Sequence, residues 1–147
     1  MASLLTNSFK GRLMGDNAQI GTAIDLEADT IKAMFLTSSH TTDIDAHVFI
    51  DDVSANEVSA SGSYSAGGIT LTPTSTTDDT NDLGQWDAAD FSVTTFTGTV
   101  RYIAIYKDTG TPGTSPIIGI WDLGANTSAT AGTFSVAVHA NGLVRLA

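Results

Sequence analysis

From Ile31 to Ser38 the chain carries apolar residues on both sides of an alternating pattern, Ile31, Ala33 and Phe35 on one and Met34 and Leu36, after Lys32, on the other. A strand with two apolar faces is expected in the middle of a sheet with both surfaces covered. Upstream, Ser8 to Met14 places Phe9 and Leu13 at i, i+4 spacing, which predicts one short helical turn with Lys10 and Arg12 pointing elsewhere. Gly11 and Gly15 weaken and end it. Asp16 to Asp29 shows no sustained period and reads as an extended or loop lead-in. His40 to Val53 breaks the alternation again, and Ile44, Val48 and Phe49 are spaced for a single helical turn. A short helix near residues 43–52 or a structured loop is therefore expected, with the acids around it facing water.

From Asn56 the pattern returns to that of strands. Asn56 to Ser61, then Gly68 to Thr74 after the turn SGSYSAGG, are expected strands, and Pro73 marks an edge or a strand end. Thr74 to Asp82, TSTTDDTND, has no core-forming residue and reads as an exposed, mobile loop. Phe91–Phe96, Val100–Lys107, Pro116–Leu123, Gly132–Ala140 and Leu143–Leu146 are further strands, separated by turns such as DTGTPGT and GANTSATAG. Phe134, Val136 and Val138 form one apolar face, and Asn141-Gly142 suits a tight hairpin into the last strand. The whole predicts an all-β, single-domain β-sandwich or jelly-roll-like fold, with residues 1–29 as N-terminal arm and lead-in and 30–147 as the body.

Composition narrows this picture. A chain of 147 residues suits one domain with a real core, and 41% hydrophobic with 15% charged residues is the balance of a folded protein. The net charge is -10, with only 6 Lys and Arg, which argues against a nucleic-acid partner. The first twelve positions hold Lys10 and Arg12 and no acid, so removing that +2 from the total of -10 leaves -12 on the rest. The N-terminal end is a basic tip on an acidic body. Cysteine is absent, which excludes disulfides, thiolate zinc sites and thiol nucleophiles. MASLLTNSFK lacks the pattern of a signal peptide, and no apolar run approaches the roughly 20 residues that span a bilayer, so no membrane partner is expected.

Candidate chemistry is sparse. Ser63-Tyr64-Ser65-Ala66-Gly67 lacks the first glycine of a nucleophile elbow and reads as a turn, and there is no phosphate-binding glycine loop. Asp43, Asp45 and His47, with Asp51 and Asp52 nearby, carry oxygen ligands of the kind calcium or magnesium takes, but the spacing matches no EF-hand loop. They read as solvated acids, as do Asp78, Asp79, Asn81 and Asp82. No catalytic residue, metal or cofactor is expected, and the protein is not expected to be an enzyme. Among the aromatics, Trp121 reads as core; Trp86, after a flexible Gly84-Gln85, either plugs the open end of the sandwich or presents a ring to a ligand such as a sugar. Tyr102 and Tyr106 share a face opposite Ile103 and Ile105, so one face is core and the other needs a cover, for which a partner subunit is a candidate.

The order of a strand ending in LTSS (carried by Thr37 to Ser39), the acidic segment Asp43 to His47, Phe49 to Val58 and Gly67 to Leu71, followed by Arg101 to Asp108 and Pro116 to Gly124, resembles a group of small structural proteins of tailed bacteriophages found among head genes. The match runs over most of the chain. The resemblance implies a capsid cement or decoration protein of the virion, assembled in the host cytoplasm. It would bind the head exterior, with the major capsid protein and further copies of itself, as dimer or trimer, for partners. A tail or head-fibre component, or a carbohydrate-binding adsorption module, is the alternative. Under the cement reading Ala2 to Asp16 would be an arm with Phe9 and Leu13 as apolar anchors and Lys10 and Arg12 reaching acidic capsid groups. The other reading of that segment is a frayed terminus or a helix closing its own sandwich.

Overall fold

The computed structural model describes residues 3–15, 23–78 and 82–146. In chain order its elements are β1 (Ser3–Leu5), α1 (Asn7–Leu13), β2 (Ile31–Leu36), α2 (Asp51–Ser54), β3 (Ile69–Thr70), β4 (Pro73–Asp78), β5 (Leu83–Ala88), β6 (Phe91–Lys107), β7 (Ile117–Val136) and β8 (Val144–Leu146). A 3-10 turn at Pro112–Thr114 joins β6 to β7. The strands form two antiparallel sheets, one in the order β1-β7-β6-β2-β3 and the other β4-β5-β8. The fold is all-β, as the sequence pattern predicts.

The double apolar pattern of β2 explains the layering. Ile31, Ala33 and Phe35, with Ile103 and Ile105 of β6 and Trp121 of β7, enter a core shared with Leu71 and with Trp86, Ala88 and Val144 of the small sheet. Met34 and Leu36, with Ala104, Tyr106, Ile117 and Ile120, face the other way into a second core closed by Ile50 and Val53. The large sheet is thus buried on both faces, which is why its strands read as nearly continuous apolar runs. The cover over Tyr102 and Tyr106 is accordingly the chain's own segment around α2 rather than a partner subunit; Tyr106 is buried and Tyr102 packs beside the same cluster.

Several elements differ from the pattern-based expectation. The four strands expected between Phe91 and Ala140 are two long ones, β6 and β7, paired with each other, and the segment GANTSATAG lies within β7 instead of forming a turn. Glycine and small polar residues are tolerated there because irregularities absorb them: the register shifts between Val93 and Phe96 and between Val100 and Tyr102, and Thr95 and Ala131 adopt positive φ. The strand expected at Asn56 to Ser61 reduces to isolated bridges, Glu57 with Leu36 and Ser61 with Tyr64. Gly68 to Thr74 is split at Leu71 and Thr72, where the chain passes from the large sheet to the small one. Part of the loop expected at Thr74 to Asp82 is β4, an edge strand that needs no apolar side chain and accepts Pro73 at its start; residues 79–81 lie outside the described ones. The Asn141-Gly142 turn, closed by Gly142 N–H to His139 O at 2.8 Å, leads to β8, which pairs with β5 in the small sheet instead of folding back on β7.

The N-terminal segment is docked rather than extended. β1 pairs with β7, Ser3 opposite Trp121 and Leu5 opposite Gly119. Thr6 then caps α1: its Oγ1 accepts from Phe9 N–H at 3.2 Å and donates to Ile117 O at 2.8 Å. Ala2 and Asp16, the limits of the expected arm, lie outside the described residues. The helix near residues 43–52 is a single turn at its C-terminal end, α2, with Asp52 Oδ2 accepting from Val48 and Phe49 N–H.

Candidate functional site

Of the four residues expected to reach a partner, two are turned inward. Phe9 is 0% exposed and belongs to the core between the sheets, so it anchors the helix to its own body. Arg12 is buried as well, its guanidinium 6.0 Å from the centre of the Phe49 ring, and burial lowers its pKa from the usual value. The i, i+4 spacing that pairs Phe9 with Leu13 in sequence does not pair them in burial, and Arg12 rather than Leu13 is the second buried residue of the helix. Leu13 is 44% exposed and Met14, just beyond the helix, 84% exposed; Leu4 on β1 is 44% exposed. These are the exposed large hydrophobic residues among the described ones, and all three lie in the N-terminal segment. Lys10 is exposed beside them, its Nζ donating to Asn7 Oδ1 at 3.2 Å.

The cations of the body are used internally. Lys32 pairs with Asp108 at 2.6 Å, Arg101 with Asp122 at 3.0 Å, and Lys107 with Asp29 at 2.8 Å. Lys107 Nζ also donates to Ala23 O, which ties the lead-in to the end of β6. Basic character at the N-terminal segment therefore stands against carboxylates over most of the remaining surface.

Trp86 is not presented to solvent. Its ring is buried between the sheets and its Nε1 donates to Leu26 O at 3.0 Å, so it fills the sandwich and holds the 23–29 segment. The acids of the connector serve the backbone: Asp43 Oδ1 accepts from Asp45 and Ala46 N–H, both at 3.0 Å, and these bonds hold its carboxyl below the usual range. His47 Nδ1 accepts from Asp43 N–H. No group of three or more metal-ligating side chains converges among the described residues. Ser63 Oγ accepts from Thr94 N–H at 2.9 Å and has no histidine partner among the described residues, which makes the SYSAG segment a turn braced against β6.

Two features escaped the sequence. His40 is buried, its ring 5.2 Å from that of His47 and 5.3 Å from Tyr102, with Nε2 3.3 Å from Thr42 Oγ1. A half-open cleft of about 710 Å³ lies against the large sheet, lined by Phe91, Ile103, Trp121, Val136, Val138 and Leu143 among others. Its walls come from positions more than fifty residues apart in the chain, between Phe91 and Leu143, and are mostly apolar with His139 among them, so no local motif announces it. Compared with known protein families, with curated proteins and with solved structures, the chain matches none.

Proposed function

We propose that this protein is a structural component of a tailed-phage virion, a cement or decoration protein that binds the outer surface of the head and bridges neighbouring major capsid proteins. The observation that carries the reading is the N-terminal segment: an acidic body holds, on a docked edge strand and helix, the exposed apolar residues Leu4, Leu13 and Met14 beside the exposed cation Lys10. Such a segment suits an interface whose partner is acidic and partly apolar.

The sequence pattern supports the same reading from another side. Arg101 to Asp108 and Pro116 to Gly124, two of the stretches that resemble phage structural proteins, are the facing parts of the β6–β7 hairpin, while Phe49 to Val58 includes the cover over the second core. The resemblance thus rests on the frame of the fold, and binding falls to surfaces around it. A decoration protein needs only modest affinity at each site, because copies that contact a lattice and one another are released together or not at all. The carbohydrate-binding alternative loses its candidate ring, since Trp86 is a core residue.

Antibody or gold labelling of intact particles tests the location. Label over the head exterior is expected; label confined to the tail, or none on intact particles, contradicts the reading.

A further inference from the structure

We propose that copies of this chain associate head to tail, the Leu13–Met14 end of α1 in one copy seated in the apolar cleft between Phe91, Trp121, Val136 and Val138 of the next. This deepens the assembly reading above by making a second copy of the chain the acidic, partly apolar partner that the N-terminal segment meets, and it rests on that reading only for where the assembled copies sit.

The two surfaces complement each other in chemistry. The cleft holds about 710 Å³, within the range of sites that take up several apolar groups, and its lining offers water few hydrogen bonds. Two adjacent apolar side chains stand exposed at the end of α1, and Met is the side chain best able to adapt to an irregular cavity. Charge points the same way. Two copies of a protein of net charge -10 repel each other over most of their surfaces. The N-terminal tip carries an exposed cation, Lys10, one turn before Met14, with Asp45 reaching only the start of the helix through Asn7. At the cleft, exposed Asp90 accepts from Val138 N–H at 2.8 Å, which puts a carboxylate at the rim where a second copy's Lys10 would approach. Because donor and acceptor surfaces are different parts of the chain, the contact is heterologous, and a rotation that closes it gives a ring.

The test uses the purified full chain in solution without heads. Sedimentation equilibrium is measured for the wild type, for Leu13→Asp/Met14→Asp, which removes the inserting residues, and for Ala137→Glu, which places a charge at an exposed position on the cleft wall. Thermal unfolding confirms that each variant is folded. The wild type is expected to self-associate, and each variant to associate about tenfold or more weakly. Mixing the two variants should restore one intact contact, between the unaltered tip of one and the unaltered cleft of the other, giving heterodimers and nothing larger. A monomeric wild type, variants that associate as the wild type does, or a mixture that forms no heterodimer would overturn the proposal. Head binding is scored separately: a wild type that assembles as described but does not coat heads refutes the cement reading alone, and one that coats heads as a monomer refutes this contact alone.

Discussion

Phe35 and Tyr64 are joined twice: their rings stack with centroids 4.8 Å apart at an angle of 5°, and Phe35 N–H donates to Tyr64 Oη at 2.9 Å. The same hydroxyl donates to Glu57 Oε1 at 2.8 Å, which also accepts from Gly67 N–H at 2.8 Å. One side chain therefore closes the edge of β2 beyond the two residues paired with β3, opposite the edge that β6 covers. Burial pushes the phenol pKa well above its usual value, so Tyr64 remains a donor at any physiological pH. Tyr64→Phe keeps the stack but leaves Phe35 N–H buried without its acceptor. A loss of about 1–3 kcal/mol in urea unfolding is expected, and an unchanged midpoint would contradict this role.

Phe9 and Met14 separate the two jobs of the N-terminal segment. Phe9→Ala empties a fully buried site and should cost about 3–5 kcal/mol. Met14→Ala removes an exposed side chain and should stay within about 0.5 kcal/mol of wild type. Equal effects in parallel denaturation curves would show that the segment is not docked as described. For the same reason, deletion of residues 2–14 should destabilise the body rather than trim a free arm.

Trp86 bridges the sheets and the lead-in through its ring and its bond to Leu26 O. Trp86→Ala should lower stability by about 3–5 kcal/mol, whereas Trp86→Phe, which loses chiefly the hydrogen bond, should lower it by about 1–3 kcal/mol and speed proteolysis around residues 23–29. Glycan-array binding that disappears in Trp86→Phe while stability is unchanged would contradict a core role.

His40 gives the fold a pH dependence. Burial, and secondarily the charge of His47, pulls its pKa from 6.5 down to about 4, so the folded state favours the neutral ring while the unfolded chain protonates near the usual value. The stabilising contribution of the neutral ring is complete above pH 6.5 and is lost as pH falls toward about 4. Asp108, held below the usual carboxylate range by Lys32, loses its contribution at lower pH and does not mask the window. Stability measured from pH 7 to pH 4.5 should fall more steeply for wild type than for His40→Gln. Parallel curves would exclude His40 as the source.

The layering was legible in the chain because β2 writes both of its environments into six residues, and β6 repeats the pattern at Ile103 to Tyr106. The length of the β6–β7 hairpin was not, because GANTSATAG carries the local signs of a turn while its tertiary setting makes it part of a strand, and the positive φ of Thr95 and Ala131 has no mark in the sequence. Helix α1 was legible, but which of its residues face inward was not: that depends on where β7 lies, and Arg12 is covered by Phe49 from a distant segment. The cleft was invisible for a related reason, since Phe91, Trp121 and Leu143 meet only after both sheets have formed.

The most direct measurement mixes the purified protein with heads that lack it, counts the copies bound at saturation, and records the temperature at which the heads come apart. Saturable binding in a fixed ratio to the major capsid protein and a higher disruption temperature are expected. Heads that bind no protein, or that bind it and come apart at the same temperature, would contradict the cement reading.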